Sequence, residues 1–467
     1  MGNSEVGHQN IGAGRIVDQE LMRISHAVLD GRFATNSTLQ EAFRRSKVTG
    51  KKVHLMGLVS DGQVHSDLSH LLALVEMAHA CQFPADRLFV QLFTDGRDCA
   101  PQSAKKYIKA LEASLARSGG RIATVIGRFY AMDRDHRWER VRCAWECLLG
   151  RSERTSTSAL ATIDAHYAAP PSATQTSDEF VPATRIAGVD GAICDGDAVI
   201  FFNFRGDRPR EIVKAFLFNE QDFRALPNGG FERGEIPRDL YFCTMANYER
   251  GLPVHVVFER PAKMPDILGS WLSTQGLRQF RCAETEKFPH VTFFFNDYRE
   301  EPFDGESRAI VASPRDVATY DLKPEMNAAG VLAAVLGRIS APDCEDVIIV
   351  NFANCDMVGH TGSLPAAIKA VEIVDDCVGK ITDAVLARGG SLVITADHGN
   401  VEQMKDPITG APHTAHTNYD VPLIVVGAHL RGRSLRSGGR LADIAPTMLD
   451  MIGLPIPSAM TGRSLIR

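Results

Sequence analysis

Four apolar strands in the first half of the chain each end in a polar, glycine-containing turn. These strands are Val53–Val59, Leu88–Phe93, Arg121–Ile126 and Ala198–Asn203. A strand, a glycine turn and a helix in succession form the repeating unit of parallel α/β sheets, and ligands bind beyond the carboxyl ends of such strands. The sequence therefore predicts a mostly parallel sheet covered by helices, with one edge that collects functional side chains.

A second set of alternating strands and helices follows a proline-containing segment, residues 247–265, where we place a domain junction. The predicted elements are a helix at 266–276, a strand at His290–Phe295, a helix at 325–339, a strand at Val347–Phe352, a helix at 364–387, strands at Leu392–Ala396 and Pro422–Val426, and a helix at 441–452. At 467 residues the chain is too long for one ordinary core. We therefore expect two domains, the second with its own mostly parallel, three-layer sheet.

Charge and cysteine usage exclude several classes of protein. Lys and Arg total 51 against 57 Asp and Glu, so the chain offers no general positive field for nucleic acid or anionic lipid, and we expect neither partner. The ten cysteines contain no CxxC pair, which indicates reduced thiols in the cytoplasm. No run approaches about 18 consecutive apolar residues, so membrane insertion is not expected.

Arginines are concentrated at the carboxyl ends of the predicted strands. They are Arg97, Arg128, Arg134, Arg205, Arg208 and Arg210, and His65 and Asp98 lie in the same turns. A single arginine after a strand is usually a solvated surface residue. Six at neighbouring strand ends favour a binding site, because guanidinium groups match carboxylate and phosphate oxygens. The expected ligand is small and multiply anionic.

Aspartate and histidine recur near three predicted strands of the second half. The residues are Asp356 and His360, Asp397 and His398, and His413 and His416. A single Asp-His pair after a strand is more often a turn with a hydrogen-bonded imidazole. Three such clusters favour a two-metal site, since mixed Asp/His ligands suit Mn²⁺, Mg²⁺ or Zn²⁺.

The first eight residues, MGNSEVGH, place Ser4 in a glycine-flanked turn before an amphipathic helix. A serine hydroxyl hardly ionises near neutral pH, so a nucleophilic serine needs a metal or a general base beside it. The alternative is that Asn3 and Ser4 only cap the helix. The distant Asp/His clusters favour the nucleophile, and this interpretation requires Ser4 to lie near Asp397 and His398.

Nine segments together resemble the cofactor-independent phosphoglycerate mutases of the alkaline phosphatase superfamily. They are GNSEVGHQNIGAGR, SDGQVHS, TDGRD, GRFYAMDRDHRWERV, FFNFRGDRPRE, EKFPHVTFFF, NFANCDMVGHTG, TADHGNVEQM and HTAHTNYDVP. The resemblance implies a glycolytic isomerase that interconverts 3-phosphoglycerate and 2-phosphoglycerate through a phosphoserine. It implies two Mn²⁺ ions, with Mg²⁺ or Co²⁺ in some members, and no 2,3-bisphosphoglycerate. It also implies a monomer whose two domains close over this small-molecule substrate.

The resemblance further implies the domain plan and the site residues. A three-layer, alkaline-phosphatase-like α/β domain with a mostly parallel sheet would span 1–18 and 260–467, interrupted by an inserted α/β transferase domain at 19–259. By motif, Ser4 matches the nucleophile, and the implied metal ligands are Asp356, His360 and His416 for one ion and Asp397, His398 and Ser4 for the other. The implied substrate residues are His65, Arg97, Asp98, Arg128, Arg134, Arg205, Arg208 and Lys287. Asp98 would exchange a proton with a glycerate hydroxyl, and Lys287 would offset phosphoryl charge.

The sequence departs from the family at its beginning. Family members carry an N-terminal strand whose terminal Asp completes the second metal's ligands, whereas this chain starts at the Met of MGNSEVGH. We expect that this Met is a mis-called start, the alternative being a naturally truncated product, and that the chain as written binds its second metal weakly. The alternatives are an inactive product of that start, a related metal-dependent phosphomutase or phosphatase, and an inert relative that binds phosphorylated ligands.

Overall fold

The computed structural model describes residues 2–407 and 410–467. The chain divides into two compact units, the split unit (Met1–Val17 with Pro261–Arg467) and the central unit (Asp18–Arg260). Helices and strands are labelled α1–α15 and β1–β13 in chain order. Among the helices of the described residues, none combines the length and the apolar character needed to cross a lipid bilayer.

The central unit is built on an eight-stranded sheet in the order β4-β5-β3-β2-β1-β6-β7-β8. Its strands are β1 (Val53–Leu58), β2 (Leu88–Thr94), β3 (Arg121–Gly127), β4 (Thr155–Ser156), β5 (Thr184–Ile186), β6 (Ala198–Phe201), β7 (Tyr241–Thr244) and β8 (His255–Val256). Neighbouring strands are parallel except for the β3–β5 pair. The carboxyl ends of β3, β2, β1 and β6 therefore meet at one edge of the sheet.

Helices cover both faces of this sheet. They are α2 (Glu20–Leu29), α3 (Ser37–Thr49), α4 (Leu68–Ala80), α5 (Ala104–Ser118), α6 (Arg128–Ala131), α7 (Trp138–Leu148), α8 (Ala159–Ala168), α9 (Arg210–Leu217) and α10 (Glu220–Arg224). Successive residues of a strand point to opposite faces. Leu55 of β1 accordingly packs in the apolar core that contains Leu71 of α4, whereas Met56 packs in the core that contains Trp145 of α7.

The split unit contains two smaller groups of strands. Its elements are α1 (Ser4–Ala13), α11 (Leu268–Thr274), β9 (Gln279–Glu284), β10 (Glu306–Val311), α12 (Ala328–Ser340), β11 (Val347–Asn351), α13 (Asn354–Gly359), α14 (Leu364–Ala387), β12 (Ser391–Thr395), β13 (Leu423–Gly427) and α15 (Ile444–Met451). Strands β10-β9-β11 form a parallel sheet, and β12 pairs with β13 antiparallel. Strands β11 and β12 lead directly to Asp356 and Asp397.

The structure corrects two predictions for the split unit. The predicted strand at His290–Phe295 is instead a π-helical turn, His290–Phe294, and the strand that precedes it is β9. The aromatic and β-branched residues of this segment have a high intrinsic propensity for strands, but tertiary packing can override that propensity. Here Val291 and Thr292 are buried in helical geometry. Ser4 was expected in a turn before a helix, whereas it is the first residue of α1.

Candidate active site

Ser4 lies at the amino end of α1 with its hydroxyl inside a polar cluster. The Asn3 side chain accepts a hydrogen bond from the Val6 N–H group at 3.0 Å, so Asn3 is the N-cap and the Ser4 hydroxyl is not needed for capping. Ser4 is 5% exposed. Its Oγ accepts a hydrogen bond from Lys287 Nζ at 2.6 Å and lies 2.9 Å from His398 Nε2.

Three histidines face this cluster with Nε2 and contact a backbone carbonyl oxygen with Nδ1. The Nδ1 atoms of His360, His416 and His398 lie 2.8, 3.0 and 3.2 Å from the backbone carbonyl oxygens of Thr414, Gly2 and Gly399. A carbonyl oxygen can only accept, so each Nδ1 carries a hydrogen, and in the neutral imidazole each Nε2 then has its lone pair free for a metal. Metal-binding histidines adopt this arrangement, in which a backbone carbonyl fixes the tautomer.

The Asp356 carboxylate joins these groups. Its Oδ1 lies 3.0 Å from His416 Nε2 and 3.2 Å from His360 Nε2, and its Oδ2 accepts a hydrogen bond from Lys287 Nζ at 2.6 Å. The Asn400 amide donates to Oδ1 at 2.8 Å. Burial would raise the pKa of Asp356, but its contacts with His360, His416 and Lys287 outweigh burial and hold that pKa well below its usual range.

This donor set fits a divalent cation. The Nε2 atoms of His360 and His416 are only 3.2 Å apart, and both face Asp356 Oδ1. When both imidazoles are neutral and carry their hydrogen on Nδ1, these three atoms present lone pairs that one cation can accept. Nitrogen and carboxylate ligands in this arrangement suit borderline-hard divalent ions. Ligand atoms of Asp356, His398 and His416 also lie within 4.8 Å of one another.

Asp397 supplies a second candidate ligand atom. Its Oδ2 lies 3.1 Å from His8 Nδ1 and 3.6 Å from His398 Nε2. The His8 Nδ1 atom, however, hydrogen-bonds to the Ser4 carbonyl oxygen at 2.8 Å, and the buried Asp397 Oδ2 has no hydrogen-bond partner of good geometry among the described residues. A buried carboxylate oxygen without a hydrogen bond, close to His398, is suited to coordinate a cation.

The central unit gathers the predicted anion-binding residues at the carboxyl edge of its sheet. Arg128 is 2% exposed, and its Nη1 donates to Asp95 Oδ1 at 2.6 Å and to Asp98 Oδ2 at 2.5 Å. His65 Nε2 lies 3.9 Å from Asp98 Oδ2. Burial and then the positive charge of Arg128 lower the pKa of His65 to about 4, so this imidazole is neutral at neutral pH.

Asp207 lies near His65 and two further members of the predicted set, Arg134 and Arg205. It lies 3.6 Å from His65 Nδ1, 3.5 Å from Arg134 Nη1 and 3.2 Å from Arg205 Nε. Arg134 and Arg205 are about half exposed, which leaves their guanidinium groups open to a ligand. The other two arginines contact different groups: Arg208 donates to the Met132 carbonyl oxygen at 3.1 Å, and Arg97 lies 3.6 Å from Glu179.

Comparison with known proteins identifies the family. The family model described as BPG-independent PGAM N-terminus matches residues 24–250. The 2,3-bisphosphoglycerate-independent phosphoglycerate mutase of Rhodopirellula baltica is 56% identical over 470 residues, which cover 100% of this chain and 86% of that protein. This chain belongs to the 2,3-bisphosphoglycerate-independent phosphoglycerate mutase family. The member from Pseudomonas entomophila is 49% identical over 468 residues, which cover 100% of this chain and 88% of that protein.

A solved member of the mutase family has a similar fold. The crystal structure of Leishmania mexicana phosphoglycerate mutase at low cobalt concentration matches with a TM-score of 0.66 and 32% identity, over 100% of this chain and 87% of that chain. The predicted family and the predicted α/β class are therefore confirmed. A metal-dependent mutase is consistent with the Asp/His donor set, whose atoms are arranged to bind a divalent ion.

Sequence reasoning assigned no role to three residues that contact the predicted mutase residues directly. Asp95 and Asp207 contact Arg128 and Arg205, and His8 contacts Asp397. All three lie inside segments that carry the family resemblance, TDGRD, FFNFRGDRPRE and GNSEVGH. Their contacts depend on which loops meet in space, and a single sequence does not contain that information.

The close approach of α1 to the Asp397 segment leads to a stability prediction. A Cβ atom at Gly7 would lie 2.4 Å from the Asp397 carbonyl oxygen and 2.8 Å from the Asp397 Cβ. We expect Gly7→Ala to destabilise the protein by about 2–3 kcal/mol, because backbone must move to relieve the overlap.

Gly337→Ala is the control, since this exposed glycine of α12 has no atom within 4 Å of an added Cβ. It should stabilise by up to about 1 kcal/mol. Denaturant unfolding measures both, and a Gly7→Ala protein as stable as its parent would contradict the packing described.

A buried carboxyl pair in the central unit leads to a pH prediction. Glu211 is 2% exposed by side chain, and burial, with the neighbouring Asp133 carboxylate, raises its pKa to about 7. A carboxyl whose folded pKa exceeds its unfolded pKa destabilises the fold as pH rises from the unfolded value, about 4.5, to the folded value. Glu211→Gln keeps an acceptor for the His136 N–H group, which now bonds Glu211 Oε1 at 3.1 Å.

We therefore expect Glu211→Gln to stabilise the protein by about 2 kcal/mol at pH 8 and to have little effect at pH 5. Thermal unfolding at both pH values measures the difference, with Glu76→Gln on the exposed face of α4 as the surface control. An equal effect of Glu211→Gln at pH 5 and pH 8 would show that Glu211 does not titrate in this range.

Proposed function

We propose that this chain interconverts 3-phosphoglycerate and 2-phosphoglycerate through a phosphoserine at Ser4. The observation that carries the proposal is the position of Ser4 Oγ, 2.6 Å from Lys287 Nζ and 2.9 Å from His398 Nε2, in a cluster with Asp356. Because the phosphoryl group comes from the substrate and returns to it, the reaction needs no 2,3-bisphosphoglycerate. The names of the relatives support the same reaction.

We propose that the cluster holds two Mn²⁺ ions, with Mg²⁺ or Co²⁺ as possible substitutes. Asp356, His360 and His416 would hold one ion, and Asp397, His398 and Ser4 the other. When bound, such ions lower the pKa of the serine hydroxyl and offset charge on the phosphoryl oxygens. The Nδ1–carbonyl hydrogen bonds of the three histidines, and the Asp397 Oδ2 atom, which has no hydrogen bond among the described residues, support this assignment.

The remaining residues act on the substrate directly. Lys287 Nζ donates to Ser4 Oγ and to Asp356, so its positive charge lies where the serine oxygen gains the phosphoryl group. In the central unit, the proposed substrate residues are His65, Arg97, Asp98, Arg128, Arg134, Arg205 and Arg208. Asp98 would exchange a proton with the glycerate hydroxyl while the arginines hold the carboxylate, which keeps the glycerate bound between the two phosphoryl transfers.

We also propose that the split unit is the phosphatase-like domain, that the central unit is the transferase domain, and that the protein is a cytoplasmic monomer. All ten cysteines are unpaired, which supports a reducing compartment. Size-exclusion chromatography with light scattering tests the oligomeric state.

An enolase-coupled assay with 3-phosphoglycerate and no added bisphosphoglycerate tests the proposed reaction. We expect isomerisation that is lost after chelation and restored by Mn²⁺. Release of inorganic phosphate in place of isomerisation would indicate a related phosphatase, and neither activity would indicate an inert relative. Either of these results would contradict the proposed function.

A further inference from the structure

The Asp95 carboxylate is buried at the carboxyl edge of the central sheet and is fully hydrogen-bonded. It is 2% exposed and follows the last residue of β2. Its Oδ1 accepts from Arg128 Nη1 at 2.6 Å and from the N–H groups of Arg97 and Asp98 at 3.1 and 3.0 Å. Its Oδ2 accepts from the Ser60 hydroxyl at 2.6 Å. Four donors therefore fix this carboxylate in one orientation.

These four donors come from three different strand ends. Ser60 follows β1, Arg97 and Asp98 follow β2, and Arg128 follows β3. The loops are also in close contact, since a Cβ atom at Gly62 would lie 2.7 Å from the Asp98 carbonyl oxygen. A single carboxylate thus fixes the relative positions of the three loops that carry much of the proposed substrate set.

The charge of Asp95 is also needed to bury Arg128. The guanidinium group is 2% exposed and contacts two carboxylates, Asp95 and Asp98. A buried cation is strongly destabilised when its paired anion is removed. Of the two carboxylates, Asp95 is the more deeply buried, with 1% side-chain exposure against 16% for Asp98, so its contact fixes the guanidinium to the end of β2.

We propose that Asp95 is a positioning residue for phosphoglycerate, which acts through Arg128 and the Arg97–Asp98 turn and does not touch the substrate itself. This inference rests on the proposed function, because it assumes that Arg128, Arg97 and Asp98 bind the substrate. Arg128 and Arg97 are proposed to hold the anionic groups of the substrate by charge-assisted hydrogen bonds, which depend on geometry, so loss of their positioning should weaken substrate affinity.

Asp95→Asn tests the proposal with the least change in shape. An asparagine oxygen can take the place of Oδ1, and its amide can donate to the Ser60 hydroxyl, so the variant removes the charge and keeps the contacts. We expect the Kd and the KM for 3-phosphoglycerate to rise by at least about tenfold, with a smaller change in kcat. Titration calorimetry and the coupled assay on the full chain measure these values.

Asp197→Asn is the matched control. Asp197 is equally buried and accepts hydrogen bonds from the Lys52 N–H group at 2.9 Å and the Cys194 N–H group at 2.8 Å, but it precedes β6 and so lies at the opposite edge of the sheet. It should lower the unfolding midpoint without changing the Kd. If Asp95→Asn does not fold, Ser60→Ala decides, because it removes the hydroxyl that donates to Asp95 and accepts from the Gly62 N–H group, and it should raise the Kd about threefold.

The outcomes separate this proposal from the proposed function. A weaker Kd in Asp95→Asn, or in Ser60→Ala, with an unchanged Kd in Asp197→Asn supports the positioning role. Wild-type affinity in the deciding variant, or an equal loss in Asp197→Asn, overturns it while the parent chain still isomerises its substrate. A parent chain that neither binds nor isomerises 3-phosphoglycerate overturns both.

Discussion

Ser4→Ala is expected to reduce turnover of 3-phosphoglycerate to background, a loss of about five to six orders of magnitude. The hydroxyl is the atom that would carry the phosphoryl group, and it is placed between Lys287 Nζ and His398 Nε2. Removing one oxygen should leave α1 intact, because Asn3 supplies the N-cap. The coupled assay measures the rate, and circular dichroism verifies the fold.

Ser37→Ala is a close structural control for this variant. Ser37 is also the first residue of a helix, α3, and it also follows an asparagine N-cap, Asn36, whose side chain accepts from the Thr38 and Leu39 N–H groups. Ser37 is exposed. We expect parental activity in this variant. Turnover by Ser4→Ala within tenfold of the parent would remove Ser4 from the mechanism.

Lys287→Met is expected to lower kcat by about 100- to 1000-fold, the usual effect of removing one charged donor from a preorganised site. Lys287 is 6% exposed and donates to Ser4 Oγ and Asp356 Oδ2, both at 2.6 Å. Methionine is close to lysine in shape, although one heavy atom shorter, and it removes the charge, so the serine oxygen and the carboxylate would lose the ammonium group that lies between them. Steady-state kinetics separate the effect on kcat from the effect on KM.

Lys380→Met is the control for Lys287→Met, because it removes a lysine charge outside the proposed site. Lys380 is an exposed residue of α14 and pairs with Asp376 one turn earlier, a surface contact that contributes little to stability. Its replacement should leave kcat unchanged. If Lys287→Met kept more than a third of the parental kcat, Lys287 would have no role in offsetting charge at Ser4.

Strand–turn–helix patterns predicted most of the elements that carry the site. The carboxyl ends of β1, β2, β3 and β6 lie within two residues of their predicted positions, because apolar strands followed by glycine turns leave few alternatives. The helix predicted at 364–387 has these bounds in the structure. The segment around His290 was mistaken for a strand, because its β-branched and aromatic residues have the propensity of a strand and only the tertiary packing makes it helical.

The sequence indicated the residue types of the candidate site but not their geometry. Asp/His patterns indicated Asp356, Asp397 and His398, since metal chemistry requires those side chains. The tautomers of His360 and His416 depend on the carbonyl oxygens of Thr414 and Gly2, which lie far away in the sequence. The contacts of Asp95 and Asp207 likewise need three-dimensional information, because an Asp in a loop is usually a solvated residue.

Phosphopeptide mapping tests the central claim most directly, namely that Ser4 becomes phosphorylated during turnover. The full chain is mixed with 3-phosphoglycerate and Mn²⁺, quenched rapidly in acid, digested and analysed by mass spectrometry. We predict the mass of one added phosphoryl group on the peptide that contains Ser4, with fragment ions that assign it to Ser4, and no such peptide from Ser4→Ala. A chain that isomerises its substrate with the phosphoryl group on another residue, or with no phosphorylated residue, would contradict the account.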